Sequence, residues 1–290
     1  MNKLTRRKFI DTLQLVLLWL CGAIAVGFLL LILIYVLSRG IPNIHWAFLS
    51  TVYKPGLGSS GIREIIVGTL AMIGLTLLIA VPVGVLAAIY MAEYAKKGKV
   101  LSTIRFCVES LAGIPSILYG LFGYTFFVIQ CALGFSLISS ALTLAISVSG
   151  IMVLPVIIRS TEEALFTVPN SYREGSLALG ASKLTTLFRV VLPCAIPGIL
   201  SAIILSMGRV MGETAAVYYT AGTMAKAPQS IYSSTRSLAV HLYLLVKEGL
   251  NSGEAFATAT ILIVIIVGLN ALAGFIAKRL SRRLTGGKAI

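Results

Sequence analysis

The 290 residues are 58% hydrophobic and 12% charged, with a mean hydropathy of +0.96; ordinary soluble domains carry about 25% charged residues. Water is thereby excluded as the main solvent. The formal charge of +14 would point to nucleic acid in a soluble protein, but in a chain this apolar it is read first as anchoring of membrane helices, and no nucleic-acid partner is expected.

At the amino terminus Lys3, Arg6, Arg7 and Lys8 precede residues 12–38, which hold no charge. That run exceeds the roughly 7 to 15 apolar residues of a signal-peptide core and is expected to stay as a first membrane span. Residues 39–64 form a polar outer loop with Pro42 and Pro55. Its Gly56, Gly58 and Gly61 spell G-x-G-x-x-G, but no apolar strand precedes them, so a dinucleotide fingerprint is not expected. Residues 65–92 are the second span and 93–109 a cytoplasmic loop. From Ser110 to Ile158 no side chain is charged, a length for two crossings, 110–130 and 135–158, with a tight turn between Gln130 and Gly134. Gly113, Pro115, Ser116 and Gly120 weaken the third span, either for packing or as a bend lining a pathway. A polar cytoplasmic stretch, 159–193, leads to a fifth span, 194–222. A polar outer loop, 223–254, a sixth span, 255–277, and a basic tail, 278–290, complete the chain.

On this topology seventeen Lys and Arg fall on the side of the amino terminus and six on the other, with Arg209 left within the membrane. The positive-inside rule then makes both termini cytoplasmic. Glu93 and Glu109 sit at membrane edges, with no function expected. His45 and His241 lie far apart in outer loops and are not expected to hold a metal. Cys21, Cys107, Cys131 and Cys194 lie in or beside apolar runs without C-x-x-C spacing, as small membrane-facing or core residues do.

The longest polar interruption in the second half runs from Thr161 to Pro193. Pro169 and Asn170 break the chain, and Ser171 stands three residues before Glu174, the spacing of a capping box. A short helix is expected from Tyr172 to a stop at Gly180. Ser182 offers a second N-cap, with a helix from Lys183 to Val191 that Pro193 ends or kinks. Small residues on the first helix (Gly175, Ser176, Ala178) allow close approach of another protein, although a plain cytoplasmic loop would look similar.

Arg209 and Glu213 belong to GRVMGET, Gly208 to Thr214, inside the fifth span. Four-residue spacing faces them the same way, close enough to pair. They are either a structural ion pair or a guanidinium offered to a crossing anion, whose tetrahedral oxygens suit a planar fork. Arg159, at the cytoplasmic end of the fourth span, reads by position as a positive-inside anchor. No G-x-x-x-x-G-K-[ST], G-x-S-x-G or H-E-x-x-H occurs, so an enzyme is not expected, and any ATP-driven work must come from a partner.

Glu174, Gly180, Val190, Leu192 and Pro193 fit E-x5-G-x9-[IV]-x-L-P, which resembles the EAA loop of bacterial ABC-importer permeases. Gly175 and Ser176 depart from it where that family often has alanines. IPSILYGLF, IIRSTEEAL and GRVMGETAAV are similar to segments of the PstA-type permeases of bacterial phosphate importers. The resemblance implies an all-α integral membrane protein of the bacterial inner membrane, with six transmembrane helices in the MetI-like permease fold. It implies that Tyr172, Arg173, Glu174, Gly175, Ser176, Leu177 and Gly180 couple to an ATPase, and that Arg209, Glu213, Thr214, Arg159 and Ser116 contact substrate. It further implies a companion permease subunit, an ATPase dimer that holds ATP and Mg, and an extracytoplasmic phosphate-binding protein, with no cofactor on this chain. Permeases for molybdate or sulfate, the companion subunit of the same importer, and a non-transporting scaffold remain alternatives.

Overall fold

In lipid an uncharged run must pair every backbone N–H and C=O within its own segment, which leaves helix as the open choice. The computed structural model is accordingly helical almost throughout, and it describes residues 3–54, 59–96, 98–111, 114–146, 153–249 and 251–284. Helix α1 (Lys3–Gly40) leads through a 3-10 turn (Ile41–Asn43) to α2 (Trp46–Ser50) and the paired strands β1 (Tyr53–Lys54) and β2 (Ser59–Ser60). Then come α3 (Arg63–Ile89) with a π-helical turn (Tyr90–Tyr94), α4 (Lys99–Leu111), α5 (Ser116–Gly123) with a π-helical continuation (Tyr124–Gln130), α6 (Leu137–Ile146) and α7 (Leu154–Phe166). The chain continues as α8 (Asn170–Ala178), α9 (Lys183–Thr186), a π-helical turn (Leu187–Val191), α10 (Leu192–Gly212), α11 (Ala215–Thr220), α12 (Leu238–Glu248) and α13 (Ser252–Leu284). Among the described residues, four helical stretches are long and apolar enough to cross a bilayer: Asp11–Asn43, Arg63–Tyr94, Lys183–Gly212 and Ser252–Leu280. Gly56, Gly58, Gly113, the 147–152 part of the expected fourth span and Lys288 lie outside the described residues.

Helix α3 is the central post, packed by α6, α7 and α10. Met72, Ile73 and Ala80 on α3 meet Leu144, Ile157, Val210 and Met211 in the main core cluster. Tyr119 of α5 is buried in the same cluster. Helix α1 joins the body chiefly along α13. Where they meet, Gly40 lies against Thr260 Oγ1 and the Phe256 carbonyl, and a Cβ there would overlap both; glycine is what lets two membrane helices approach so closely. The apolar window of α1 is 0% buried by this chain, so its surface is suited to lipid.

Three expectations are corrected. The third span, expected over 110–130 with Gly113 and Pro115 weakening it, is interrupted outright: α4 ends at Leu111 and the next helix starts at Ser116, because Pro115 (ψ 139°) stands outside the helix as its N-cap. The fifth span was expected as one helix over 194–222. It begins earlier, at Lys183, and α10 stops at Gly212, where Glu213 turns to extended backbone (φ −72°, ψ 123°). The outer loop, expected to be polar over 223–254, contains α12, whose Leu238, Val240 and Leu245 are buried. Ser237 Oγ accepts from the Val240 N–H at 3.2 Å to start that helix, and Gly249 (φ +62°) ends it. Flanked by Arg236 and Lys247, its apolar run is too short to register as a span.

Candidate functional site

Arg209 sits on the last turn of α10 and lines a cavity of about 720 Å³ between α7, α10 and α13. Val156 and Leu205 are among its apolar walls, while Ser201, Arg209 and Asn270 bring polar side chains and Gly208 leaves room beside them. The guanidinium is exposed, and among the described residues it forms no ion pair and no hydrogen bond. Glu213, the C-cap of α10 (φ −72°), keeps its place one turn above Arg209 and within electrostatic reach of it, although the two form no ion pair within 4 Å; the chain turns extended only beyond Glu213. An unpaired, permanently charged fork of five donors facing a cavity can take an oxyanion bidentately.

Of the other expected substrate contacts, none lines this cavity. Thr214 Oγ1 donates to the Gly212 carbonyl at 3.4 Å. Ser116 opens α5, where the neighbouring Gly120 packs on Ala215 and Tyr219 of the α11 region. Arg159 stands one turn beyond Val156 on α7, with Nε donating to Glu163 at 3.1 Å and Nη1 lying 3.6 Å from Glu109. The α7 helix runs on to Phe166, so the segment expected to open the cytoplasmic loop at residue 159 is helical.

The helix pair that follows is held by local chemistry. The capping box does not form: α8 starts at Asn170 with Pro169 as N-cap, which moves Ser171 inside the first turn, out of capping position. The expected stop is present. Gly180 takes φ +84°, its N–H donates to the Leu177 carbonyl at 2.9 Å, and Ala181 N–H donates to the Ser176 carbonyl at 3.2 Å, the paired bonds of a Schellman motif. Ser182 Oγ accepts from the Thr185 N–H at 3.1 Å and starts α9. Pro193 does not end the second helix. A π-helical turn directly precedes it, and the helix runs on through the proline into α10. Ser176 and Thr186 hydroxyls, 2.9 Å apart, tie α8 to α9.

Arg173 turns away from solvent. It donates to Glu93 at 2.7 Å and to the carbonyls of Leu165 (2.8 Å) and Val168 (2.7 Å), and Lys183 Nζ donates to the Glu93 carbonyl. Tyr172, Glu174, Gly175, Leu177 and Gly180 are exposed on the outer face, with Leu179 91% exposed beside them. Two residues of interest escaped the sequence reading. Glu93 was assigned to a membrane edge and instead anchors α8. Asn270 passed unnoticed, although between Thr260 and Lys278 it is the single side chain with hydrogen-bonding atoms. His241 is buried edge-on to Tyr53, ring centroids 4.9 Å apart, and His45 Nδ1 lies 3.1 Å from the Asn43 carbonyl.

Residues 80–286 match the family of binding-protein-dependent transport system inner membrane components. The chain is 33% identical over 295 residues to the probable ABC transporter permease protein YqgI of Bacillus subtilis (strain 168), covering 96% of this chain and 99% of that one. It is 34% identical over 281 residues to the phosphate transport system permease protein PstA 2 of Mycobacterium bovis (strain ATCC BAA-935 / AF2122/97), covering 96% and 91%. Its fold is that of a chain in the crystal structure of a bacterial alginate ABC transporter, with TM-score 0.67, 17% identity, and 97% and 99% of the two chains covered. The chain thus belongs to the binding-protein-dependent inner membrane components: it is a membrane-integral permease subunit of an ABC importer, a transport component that works with a separate ATPase and a substrate-binding protein.

Proposed function

We propose that this subunit forms half of the translocation pathway of an importer for inorganic phosphate in the bacterial inner membrane. The observation that carries the reading is the unpaired guanidinium of Arg209 on the wall of an intramembrane cavity. Placing an arginine there costs about 2.5 to 3.5 kcal/mol on insertion scales, and such residues mark ion pathways or pair with a partner charge. Glu213 lies within electrostatic reach but closes no ion pair with it, which leaves the fork free for a passing anion. The name carried by the 34%-identical relative supports phosphate as that anion.

The rest of the assembly follows from this role. The chain crosses six times with both termini cytoplasmic and sits beside a companion permease. An ATPase dimer, holding ATP and Mg, grips the exposed face of α8 around Tyr172, Glu174, Gly175 and Leu177, and a phosphate-binding protein delivers substrate from outside. ATP-driven closure moves α8 and α9 and, through the continuous helix from Lys183 to Gly212, the turn that carries Arg209.

The experiment is Arg209→Gln in the reconstituted importer. Phosphate uptake is expected to fall about a hundredfold, the effect of removing about 3 kcal/mol of charge-assisted hydrogen bonding, with the complex assembled as before. Parallel loss of assembled complex and uptake would assign Arg209 to packing instead.

A further inference from the structure

Asn270 shares the Arg209 cavity. It projects from α13 toward α10, where its Nδ2 stands 3.8 Å from the position a Cβ would take on Gly208, the residue before Arg209. Its Oδ1 is buried and has no hydrogen-bond partner among the described residues. An amide oxygen kept from water in this way costs about 1 to 3 kcal/mol, and nothing in the packing of α13 against α10 compensates for it. Ser201, the third polar side chain on the cavity wall, commits its proton to the Pro197 carbonyl at 2.9 Å. Asn270 and Arg209 are therefore the two lining side chains with free donors, and Asn270 adds a free acceptor that the guanidinium lacks.

That difference bears on which groups of an anion can be held. At neutral pH inorganic phosphate still carries at least one proton, and a guanidinium, a donor only, cannot accept it. No hydrogen bond holds the Asn270 amide oxygen, and the last torsion of the side chain is broad and roughly two-fold. The amide can therefore accept from a P–OH through Oδ1 or donate through Nδ2 to a bare oxygen of any oxyanion. We propose that Asn270 is a second ligand of the transported anion, acting beside Arg209. The proposal rests on the reading of Arg209 as the anion contact.

The test is equilibrium binding of inorganic phosphate and of sulfate to the complete transporter in lipid nanodiscs, for the native complex, Asn270→Leu, Asn270→Ser and Arg209→Gln. Subunit stoichiometry is checked for each. Asn270→Leu is expected to weaken phosphate about tenfold, the loss of one hydrogen bond to a charged group, and to weaken sulfate by no more than that. Asn270→Ser, which keeps a shorter donor and acceptor, is expected to fall between native and Asn270→Leu, and it carries the test should the leucine variant not assemble. Unchanged phosphate binding in an assembled Asn270→Leu complex would overturn the role of Asn270 as a ligand while leaving Arg209 in place. A native complex that binds neither anion at this site, or an Arg209→Gln variant that binds both normally, would instead remove the reading beneath it.

Discussion

Two arginines of this chain spend the same functional group in opposite ways. Arg173 uses its fork on Glu93 and two backbone carbonyls, with side chains only 17% and 14% exposed in the ion pair, whereas Arg209 forms no bond within the described chain. The first is a rivet and the second an open ligand. Breaking the rivet should therefore uncouple the motor without touching the cargo. Glu93→Gln keeps one acceptor and removes the charge, and it is expected to destabilise the attachment of α8 by about 1 to 3 kcal/mol. ATP hydrolysis stimulated by transport should drop while phosphate binding at Arg209 stays native, measured by thermal unfolding of the complex, ATPase assay and anion binding. Arg209 was legible in the sequence because a charge inside an apolar span has few explanations. Glu93 was not, since its partner lies 80 residues away and only the packing of α8 under the end of α3 brings them together. The four-residue spacing of Arg209 and Glu213 likewise put them within electrostatic reach, but spacing alone does not say whether the two side chains close to an ion pair, and here they do not.

Among elements, the long helices could be read from uninterrupted apolar runs, and the α8–α9 turn from Gly180 and Ser182. The breaks were harder. Pro115 and Pro193 are the same residue type in apolar surroundings, yet the first stands outside its helix and the second is absorbed behind a π-helical turn. Sequence does not say which outcome tertiary packing will favour. The two glycines of the α8 region make separable predictions. Neither has an atom within 4 Å of where a Cβ would go, so substitution by alanine tests backbone alone. Gly180→Ala forces φ +84° on a residue with a Cβ and should cost about 1 to 2 kcal/mol, loosening the Schellman turn. Gly175 lies in helical backbone, where alanine is better than glycine by up to about 1 kcal/mol. The ATPase retained on washed membranes is expected to fall for Gly180→Ala and to hold for Gly175→Ala. A bulky Gly175→Leu should release it if the exposed face of α8 is the docking face.

At the scale of the whole molecule, the orientation of the chain can be tested with cysteines it already has. Cys107 on α4 and Cys131 are both exposed and free. They are separated by the helical stretch Ser116–Gln130, about 22 Å long at about 1.5 Å per residue and shorter where it is π-helical. The turn that holds Cys131 docks against the segment after α11: Ser136 N–H donates to Thr220 at 3.1 Å and Ile138 N–H to the Ile231 carbonyl at 2.8 Å. Cys107 belongs to the opposite end, where Arg105 on the same helix donates to Glu162 of α7 at 2.6 Å. If the chain crosses six times with cytoplasmic termini, an impermeant maleimide should reach Cys131 in intact spheroplasts and Cys107 only after permeabilisation, in variants that keep one cysteine each. The converse pattern would invert the protein and place α8 where no ATPase could reach it. Labelling of both from one side would mean that Ser116–Gln130 enters the membrane and returns without crossing. That outcome would leave Arg209 and its cavity in place but would remove the continuous mechanical path from the motor to the anion.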